Sequence, residues 1–189
     1  MQQQKIKYDR GFFFVQVSRP NFEIPDNNAE ELENNKLERD GKEWHITIIT
    51  AKEFNKIIVK QLVEKYKITK KEAEKAACIS IIERFNNEIK SKPKELGVGK
   101  IEIGENVAYF VVVEWKEVQS FRKSFELAEK DFHITLGFGR DGDIHSAPKG
   151  KDSLVKLDEL KSFISKVLER NKNTERLTIK SNWDQLYNN

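Results

Sequence analysis

The chain has 189 residues, of which 38% are hydrophobic, 10% aromatic and 34% charged. This length and composition fit one compact domain over residues 1–189 and exclude a disordered chain. The 34 basic and 31 acidic residues leave a formal net charge of +3, which is too small to name a partner. No apolar stretch approaches the roughly 20 residues of a spanning helix, and no apolar leader opens the chain. We expect a monomeric cytoplasmic protein, with the nucleus as the alternative compartment, and no membrane partner.

The single cysteine, Cys78, cannot form an internal disulfide. It lies in the segment AEKAACISIIERF, whose pattern is that of the apolar face of a helix. A free cysteine in such a setting is far more often a core residue than a nucleophile. We therefore interpret Cys78 as a structural thiol in a reducing compartment.

Predicted strands and helices follow one another irregularly along the chain. Strands are predicted at Gly11–Ser18, Trp44–Thr50, Leu96–Ile103, Val107–Trp115 and Phe132–Phe138, with an edge strand at Leu177–Lys180. Helices are predicted at 51–66, 69–89, 119–130 and 154–168. Thr50 and Thr69 are placed to cap the first two helices, and Thr69 is followed by Glu72 in capping-box spacing. The charged, turn-rich residues 21–43 predict a loop with one helical turn.

This irregular order predicts an α+β fold with mainly antiparallel sheets. Two predicted strands also repeat one pattern. Trp44–Ile48 and Phe132–Leu136 each read aromatic, His, Ile, Thr, aliphatic. Two related lobes that each contribute one such strand beside a helix would explain the repeat.

The repeated pattern places chemistry on one face of each strand. Successive side chains point to opposite faces, so His45 shares a face with Thr47, and His133 with Thr135. An imidazole titrates near neutral pH, so one can take a proton from an attacking oxygen while the other protonates a leaving oxygen. The threonine hydroxyls can donate to the non-bridging oxygens of a phosphate. This scheme requires no metal and no other cofactor.

A single His-x-Thr on a strand is usually a structural pair, but two near-identical copies are not explained by a structural role. The chain has three histidines, and two of them lie in these copies. We predict that His45 and His133 are catalytic and that Thr47 and Thr135 bind phosphate. The imidazoles should face each other across a groove, with ring nitrogens about 5 to 8 Å apart.

The motifs HITI at 45–48 and HITL at 133–136 resemble those of the 2H phosphoesterase superfamily. Its members carry paired HxTx motifs in two pseudo-symmetric α+β lobes around a central groove. The segments FFFVQV, AYFVVVEW and FRKSFEL are similar to elements of those lobes. The segment FHITLGFGRDGDIHSAPKG resembles the Swiss Army Knife RNA-repair-like branch, in which HxTLGF precedes DIH and a basic residue.

This resemblance implies a phosphodiesterase that hydrolyses a cyclic phosphodiester, foremost a 2′,3′-cyclic phosphate, with His45 and His133 as acid and base. The substrate would be an RNA end or a nucleotide. Cyclic dinucleotides, ADP-ribose cyclic phosphates and 2′-5′ linkages are alternative substrates within the superfamily. The motif does not choose among them.

The loop after the second motif supplies further candidates for substrate binding. His145, with Asp143 in DGDIH, either binds substrate or stabilises a turn. Arg140, Lys149 and Lys151 either hold a phosphate or are solvated. Strand parity places the aromatic residues Trp44, Phe132 and Phe138 in the core, whereas Phe12 and Phe14, or their neighbour Phe13, are candidates for one wall of the groove.

Two other functions compete with this hypothesis. A three-histidine zinc site is chemically possible, but the sequence has no HxH or HExxH pair and no flanking ligand cluster. A non-catalytic nucleotide or RNA-end binding module would keep the groove without turnover. The presence of both histidines and both threonines favours the enzyme.

Overall fold

A computed structural model of the chain describes residues 4–156 and 158–170. Residues 4–24 and 28–154 form one compact unit, and residues 25–27, 155–156 and 158–170 form a second. The first unit contains two three-stranded antiparallel sheets with helices, which confirms the predicted two-lobed α+β fold. The edge strand predicted at 177–180 lies outside the described residues. Over the described part of the chain, every helix is too short or too polar to cross a membrane.

The first sheet contains strands β1 (Ile6–Asp9), β2 (Phe12–Val17) and β3 (Trp44–Ile49), in that order. A tight turn at Arg10 and Gly11, both with positive φ, joins β1 to β2. The sequence did not predict β1. Ile6 is its only buried residue, so β1 lacks the alternation that marks a half-buried strand.

Helix α1 (Ala29–Asp40) corrects the prediction of a loop over 21–43. Its sequence is mostly polar, and only Leu32 and Lys36 are buried. The helix packs along a strand of the second sheet that lies a hundred residues later in the chain. The helical state therefore depends on tertiary packing rather than on a strong local pattern.

Three segments replace the single helix predicted at 51–66: α2 (Ala51–Glu53), a π-helical segment (Phe54–Val59) and α3 (Lys60–Tyr66). The π-helical segment buries Phe54, Ile58 and Val59. Helix α4 (Lys70–Glu88) follows, with Cys78 half-buried on it. Thr50 and Thr69 each close a capping box, with Glu53 and Glu72 as the reciprocal partners, which confirms both predicted helix starts.

The second sheet contains β4 (Lys94–Ile103), β5 (Asn106–Glu114) and β6 (Phe132–Phe138). A two-residue turn at Gly104 and Glu105 joins β4 to β5, as the sequence predicted. Helix α5 (Lys116–Lys123) is shorter than the predicted helix at 119–130. It ends early because the chain turns back around the buried Arg122, whose guanidinium binds the carbonyl of Ala128. A helix at 158–170 replaces the one predicted at 154–168.

The edge strands β3 and β6 bring the two sheets together, with Cα atoms within 8 Å of each other. Helix α1 covers β6 at Gly137, where a Cβ atom would lie 2.7 Å from the carbonyl of Leu32. The side-chain amide of Asn35 also donates to the carbonyl of Phe138 at 3.0 Å. A glycine on β6 thus allows the close packing of α1 against the strand.

Candidate active site

Both HxT motifs lie on the strands where the two sheets meet. His45 and Thr47 are on β3, and His133 and Thr135 are on β6. All four side chains are half-buried, whereas the alternating residues Ile46, Ile48, Ile134 and Leu136 are fully buried. The observed faces agree with strand parity. The two sheets lie with β3 next to β6, so the two motifs are on neighbouring strands.

A matching β-bulge follows each motif. On β3, Phe14 pairs with Thr47 and Phe13 with Ile49, so Ile48 is the extra residue. On β6, Phe110 pairs with Thr135 and Tyr109 with Gly137, so Leu136 is the extra residue. A bulge bends the strand and redirects its side chains. The sequence repeat is therefore also a repeat of backbone geometry.

The two histidines have equivalent aromatic neighbours. The ring of Phe14 meets His45 edge-on, with centroids 5.4 Å apart, and the ring of Phe110 meets His133 in the same way at 5.7 Å. Each phenylalanine lies opposite the threonine of the motif it contacts. Each imidazole is thus held by one ring on its own face of the sheet.

The outer neighbours of the two rings differ. In the first lobe, Phe12 stacks on Phe14 with centroids 5.0 Å apart, and both are half-buried. In the second lobe, the ammonium of Lys149 lies 5.3 Å from the centroid of Phe110. Phe13 is completely buried against Tyr8 and Phe54, so its selection as a groove residue was wrong. Phe12 and Phe14 share the face of His45 instead.

His133 has one hydrogen bond to the backbone. Its Nδ1 lies 3.3 Å from the carbonyl oxygen of Asp131, an arrangement in which Nδ1–H donates and Nε2 keeps a free lone pair. Burial, followed by the charge of Lys149, lowers the pKa of His133 to about 3. His133 is therefore neutral at pH 7, as a general base must be.

His45 has a different electrostatic environment. Burial lowers its pKa, with Lys36 and Arg39 acting in the same direction and Asp40 opposing them. Lys36 is itself buried, where it donates to the carbonyls of Gly41 and Glu43 at 2.9 and 2.6 Å. Its ammonium also lies 4.2 Å from the centroid of Trp44, the residue before His45.

Lys149 and Asp143 form a buried ion pair beside the second motif. Their side chains are 4% and 3% exposed, and Nζ lies 2.5 Å from a carboxylate oxygen of Asp143. The other carboxylate oxygen lies 3.7 Å from Nδ1 of His145, whose side chain is 76% exposed. His145 therefore lies at the surface end of this cluster.

The other basic candidates are exposed and paired with carboxylates. Arg140 donates to Glu31 at 3.0 Å, and Lys151 donates to Glu114 at 2.6 Å. Neither contact is with a residue of the HxT motifs. The structure thus separates Lys149 from Arg140 and Lys151, which the sequence had grouped in one basic loop.

A cavity of about 550 Å³ borders His133. Its lining includes Thr50 and Glu53 from the first lobe, Lys130 and Asp131 before β6, and the loop at 144–149. His133 is the one member of the four HxT residues in that lining. The cavity thus offers space for a substrate group next to one of the two histidines.

Sequence reasoning missed Arg122 and Glu53. Arg122 is 1% exposed and donates to the carbonyl of Ile48 at 2.6 Å and to the carboxylate of Glu53 at 2.7 Å. Burial alone would raise the pKa of Glu53, but hydrogen bonds from Arg122 and Thr50 lower it below its usual value. The spacing of Thr50 and Glu53 could have shown the capping box, but no local signal shows the contact with Arg122.

Within the described ranges, no three His, Cys, Asp or Glu side chains come together as a group that could hold a metal ion. The three histidines illustrate this: His45 and His133 belong to the motif strands, and His145 is paired with Asp143 at the surface.

A family model described as "Swiss Army Knife, 2H phosphoesterase domain" matches residues 12–145, which include both HxT motifs and the DIH segment. These features define a phosphoesterase of the 2H class. The chain belongs to the Swiss Army Knife family of 2H phosphoesterases, which confirms the resemblance in the sequence. No curated protein and no solved structure matches the chain significantly.

Proposed function

We propose that the protein is a metal-independent phosphodiesterase that hydrolyses a 2′,3′-cyclic phosphate at an RNA end or on a nucleotide. The observation that carries this proposal is the paired geometry of the motifs. Each supplies an imidazole and a hydroxyl on one face of a strand, with the same bulge and the same aromatic neighbour. An in-line displacement at phosphorus needs proton transfer on two opposite sides, which two such half-sites can supply.

In the proposed reaction, a water molecule attacks phosphorus while His133 Nε2 takes one of its protons. The bond from phosphorus to one ribose oxygen breaks, and protonated His45 gives that oxygen a proton. Thr47 and Thr135 donate hydrogen bonds to the non-bridging oxygens. The products are a ribose hydroxyl and a phosphomonoester, and proton exchange with solvent restores both histidines.

The different environments of the two histidines support this assignment of roles. His133 is held neutral by burial and by the charge of Lys149, which lower its pKa to about 3. The carbonyl of Asp131 faces its Nδ1, which leaves Nε2 as the proton acceptor. His45 has no such fixed tautomer among the hydrogen bonds of the described residues. A bound phosphate anion stabilises a neighbouring imidazolium, so substrate binding would favour the protonated form of His45.

Phe12 and Phe14 are the proposed contact for a nucleobase. They form a stacked pair beside His45, and both retain partial exposure. A base can stack on such rings with little dependence on its identity. An RNA end and a free nucleotide both have a base that can stack on these rings.

The decisive experiment is a substrate panel with product identity read by mass. It contains 2′,3′-cyclic nucleotides, oligonucleotides with a cyclic phosphate end, ADP-ribose cyclic phosphate, 2′-5′ linkages and cyclic dinucleotides. In ¹⁸O-labelled water, we expect one heavy oxygen in the phosphomonoester from the 2′,3′-cyclic substrates. If only another class of substrate in the panel is cleaved, that class replaces the 2′,3′-cyclic phosphate as the proposed substrate.

The same panel tests the metal and binding-module alternatives. Activity should survive chelation with EDTA and dialysis, whereas loss with recovery on added zinc or manganese would favour a metal mechanism. Binding of a panel member without turnover at any pH tested would favour a non-catalytic nucleotide-binding module.

A further inference from the structure

We propose that Lys149 binds the phosphate of the substrate as the fixed positive charge of the site, with Asp143 holding its ammonium in position. This inference rests on the proposed function, because it concerns the phosphate that the two HxT motifs receive. It adds a charged residue from a loop to a site that the motifs define with uncharged groups.

The position of Lys149 follows from the ring of Phe110. Phe110 lies opposite Thr135 on the neighbouring strand, so its side chain shares the face that carries Thr135 and His133. The ammonium of Lys149 is 5.3 Å from the centroid of this ring, and the ring is 5.7 Å from that of His133. Lys149 and His133 also line the same cavity. The ammonium therefore lies on the catalytic face of the second sheet.

In the free protein, the HxT groups offer an arriving phosphate no counter-charge. Burial lowers the pKa of both His45 and His133, so both are neutral in the free protein at pH 7. Moving a phosphate anion from water into a half-buried site without a cation is unfavourable. Arg140 and Lys151 are engaged with Glu31 and Glu114 at the surface. Lys149 and Lys130 both line the cavity beside His133. Of these two, Lys149 has its ammonium over Phe110 and has the larger effect on the pKa of His133.

The ion pair with Asp143 leaves Lys149 able to bind a second anion. An ammonium group has three donors, and one oxygen of Asp143 accepts from it at 2.5 Å. Asp143 is also shared with Arg39, whose guanidinium lies 4.0 Å from its other oxygen. A buried ion pair adds little to stability compared with well-packed apolar residues, so stability alone is a weak reason for this pair.

The two lobes also differ in the group that covers the phenylalanine ring beside each histidine. The ring of Phe14 beside His45 is covered by the ring of Phe12, whereas the ring of Phe110 beside His133 is covered by an ammonium. The ammonium of Lys149 therefore places a positive charge over the ring on the His133 side, where the first lobe has an uncharged ring. A pseudo-symmetric site thus acquires one preferred orientation of the phosphate.

The test compares Lys149→Met with Lys151→Met, two substitutions of the same kind two residues apart. Inorganic phosphate is titrated into each folded protein by calorimetry. A hydrogen bond to a charged group contributes about 1.5 to 3 kcal/mol, so Lys149→Met should raise the Kd for phosphate by about 10- to 150-fold. Lys151→Met should change it by less than about twofold because its ion pair is exposed.

Phosphate binding needs no turnover, so this result is independent of the hydrolysis assay. An inactive wild type that still binds phosphate through Lys149 would contradict the proposed function alone. A wild type that binds no phosphate, or a folded Lys149→Met variant with unchanged Kd, would overturn the role of Lys149.

Two further variants address the buried carboxylate that Lys149→Met leaves unpaired. The double variant Lys149→Met/Asp143→Asn removes both charges and should fold, yet show the same loss of phosphate affinity. Lys149→Arg keeps the charge and should bind phosphate more tightly than Lys149→Met. Retained affinity in the folded double variant would show that Lys149 acts only as the partner of Asp143.

A nuclear magnetic resonance titration of His133 gives a second readout. The charge of Lys149 lowers the pKa of His133, after the larger effect of burial. Removing that charge should raise the pKa of His133 in Lys149→Met, and Lys151→Met should not. An unchanged pKa in Lys149→Met would show that the ammonium does not act on the catalytic face.

Discussion

The backbone carbonyl of Ile48 accepts a hydrogen bond of 2.6 Å from the guanidinium of Arg122. Ile48 is the bulge residue that follows the first HxT motif on β3, and Arg122 belongs to α5, the helix between β5 and β6 in the chain. The same guanidinium binds Glu53 of the first lobe and the carbonyl of Ala128. One buried side chain therefore joins the backbone after His45 and Thr47 to the lobe that carries the other motif.

Arg122→Met should lower the free energy of unfolding by about 3 to 5 kcal/mol, because breaking a buried ion pair leaves a charge and two carbonyls without their partner. Urea unfolding of the wild type and the variant measures this loss. The matched control is Arg122→Met/Glu53→Gln, which removes the carboxylate charge too and should recover part of the stability. A loss below about 1 kcal/mol would show that the pair is not a structural connection.

His45→Ala and His133→Ala should each lower kcat by about 10²- to 10⁴-fold, because each removes one proton-transfer group. Groups that act as a unit are non-additive, so the double variant should be little slower than either single variant. Single-turnover rates on a 2′,3′-cyclic nucleotide measure the effect, with circular dichroism as the check on folding. A wild-type rate in either folded variant would show that the paired motif has a structural role and not a catalytic one.

Thr47→Val and Thr135→Val should each cost about 1 to 3 kcal/mol of transition-state stabilisation, about a 5- to 150-fold loss in kcat/KM, for one lost phosphate contact. Valine keeps the branched shape and removes the hydroxyl. Thr69→Val is the control, since Thr69 caps α4 and is exposed. It should lower stability by about 1 kcal/mol and leave kcat/KM unchanged. Equal effects of all three on kcat/KM would point to stability as the common cause.

Stability should fall as the pH drops below about 6.5, the value at which an unfolded histidine titrates. The pKa of His133 is lowered to about 3, so between these values the unfolded chain binds more protons than the folded one. The contribution of His133 is thus present above pH 6.5 and lost towards pH 3, with a slope below about 1.4 kcal/mol per pH unit because partial exposure screens it. Urea unfolding of wild type and His133→Gln at pH 7 and pH 5 compares the slopes. Equal slopes of unfolding free energy against pH in the two proteins would show that the pKa of His133 is not lowered in the folded state.

The pH profile of kcat/KM should be bell-shaped with both limbs below pH 6.5. The base His133 becomes available above a pKa of about 3, and the pKa of the acid His45 is also lowered. Because kcat/KM reports the free enzyme, the rate should decline as the pH rises through the pKa of His45. Steady-state rates between about pH 2.5 and pH 9 cover both limbs and test this shape. A plateau that continues above pH 7 would mean that His45 is not the acid of the free enzyme.

Strong local patterns made much of the chain predictable from its sequence. The alternation in WHITII and FHITLGF determined which side chains share a face, and the structure has Ile46 and Ile134 buried between the half-buried motif residues. The capping boxes at Thr50 and Thr69 and the turn at Gly104 were predictable because their atoms lie within a few residues of each other. The paired motifs and the DIH segment were sufficient to predict the family.

Only the tertiary structure decided the features that depend on distant contacts. Three consecutive phenylalanines do not show which parity faces the core, and the register of β2 against β3 buries Phe13 and leaves Phe12 and Phe14 beside His45. Polar α1 becomes a helix because it packs on β6, which no local pattern encodes. Lys149 resembles Lys151 in sequence, but the folded loop buries Lys149 against Asp143 and Phe110 and leaves Lys151 exposed. A charge acquires its role from the groups that surround it, and those groups meet only after the chain has folded.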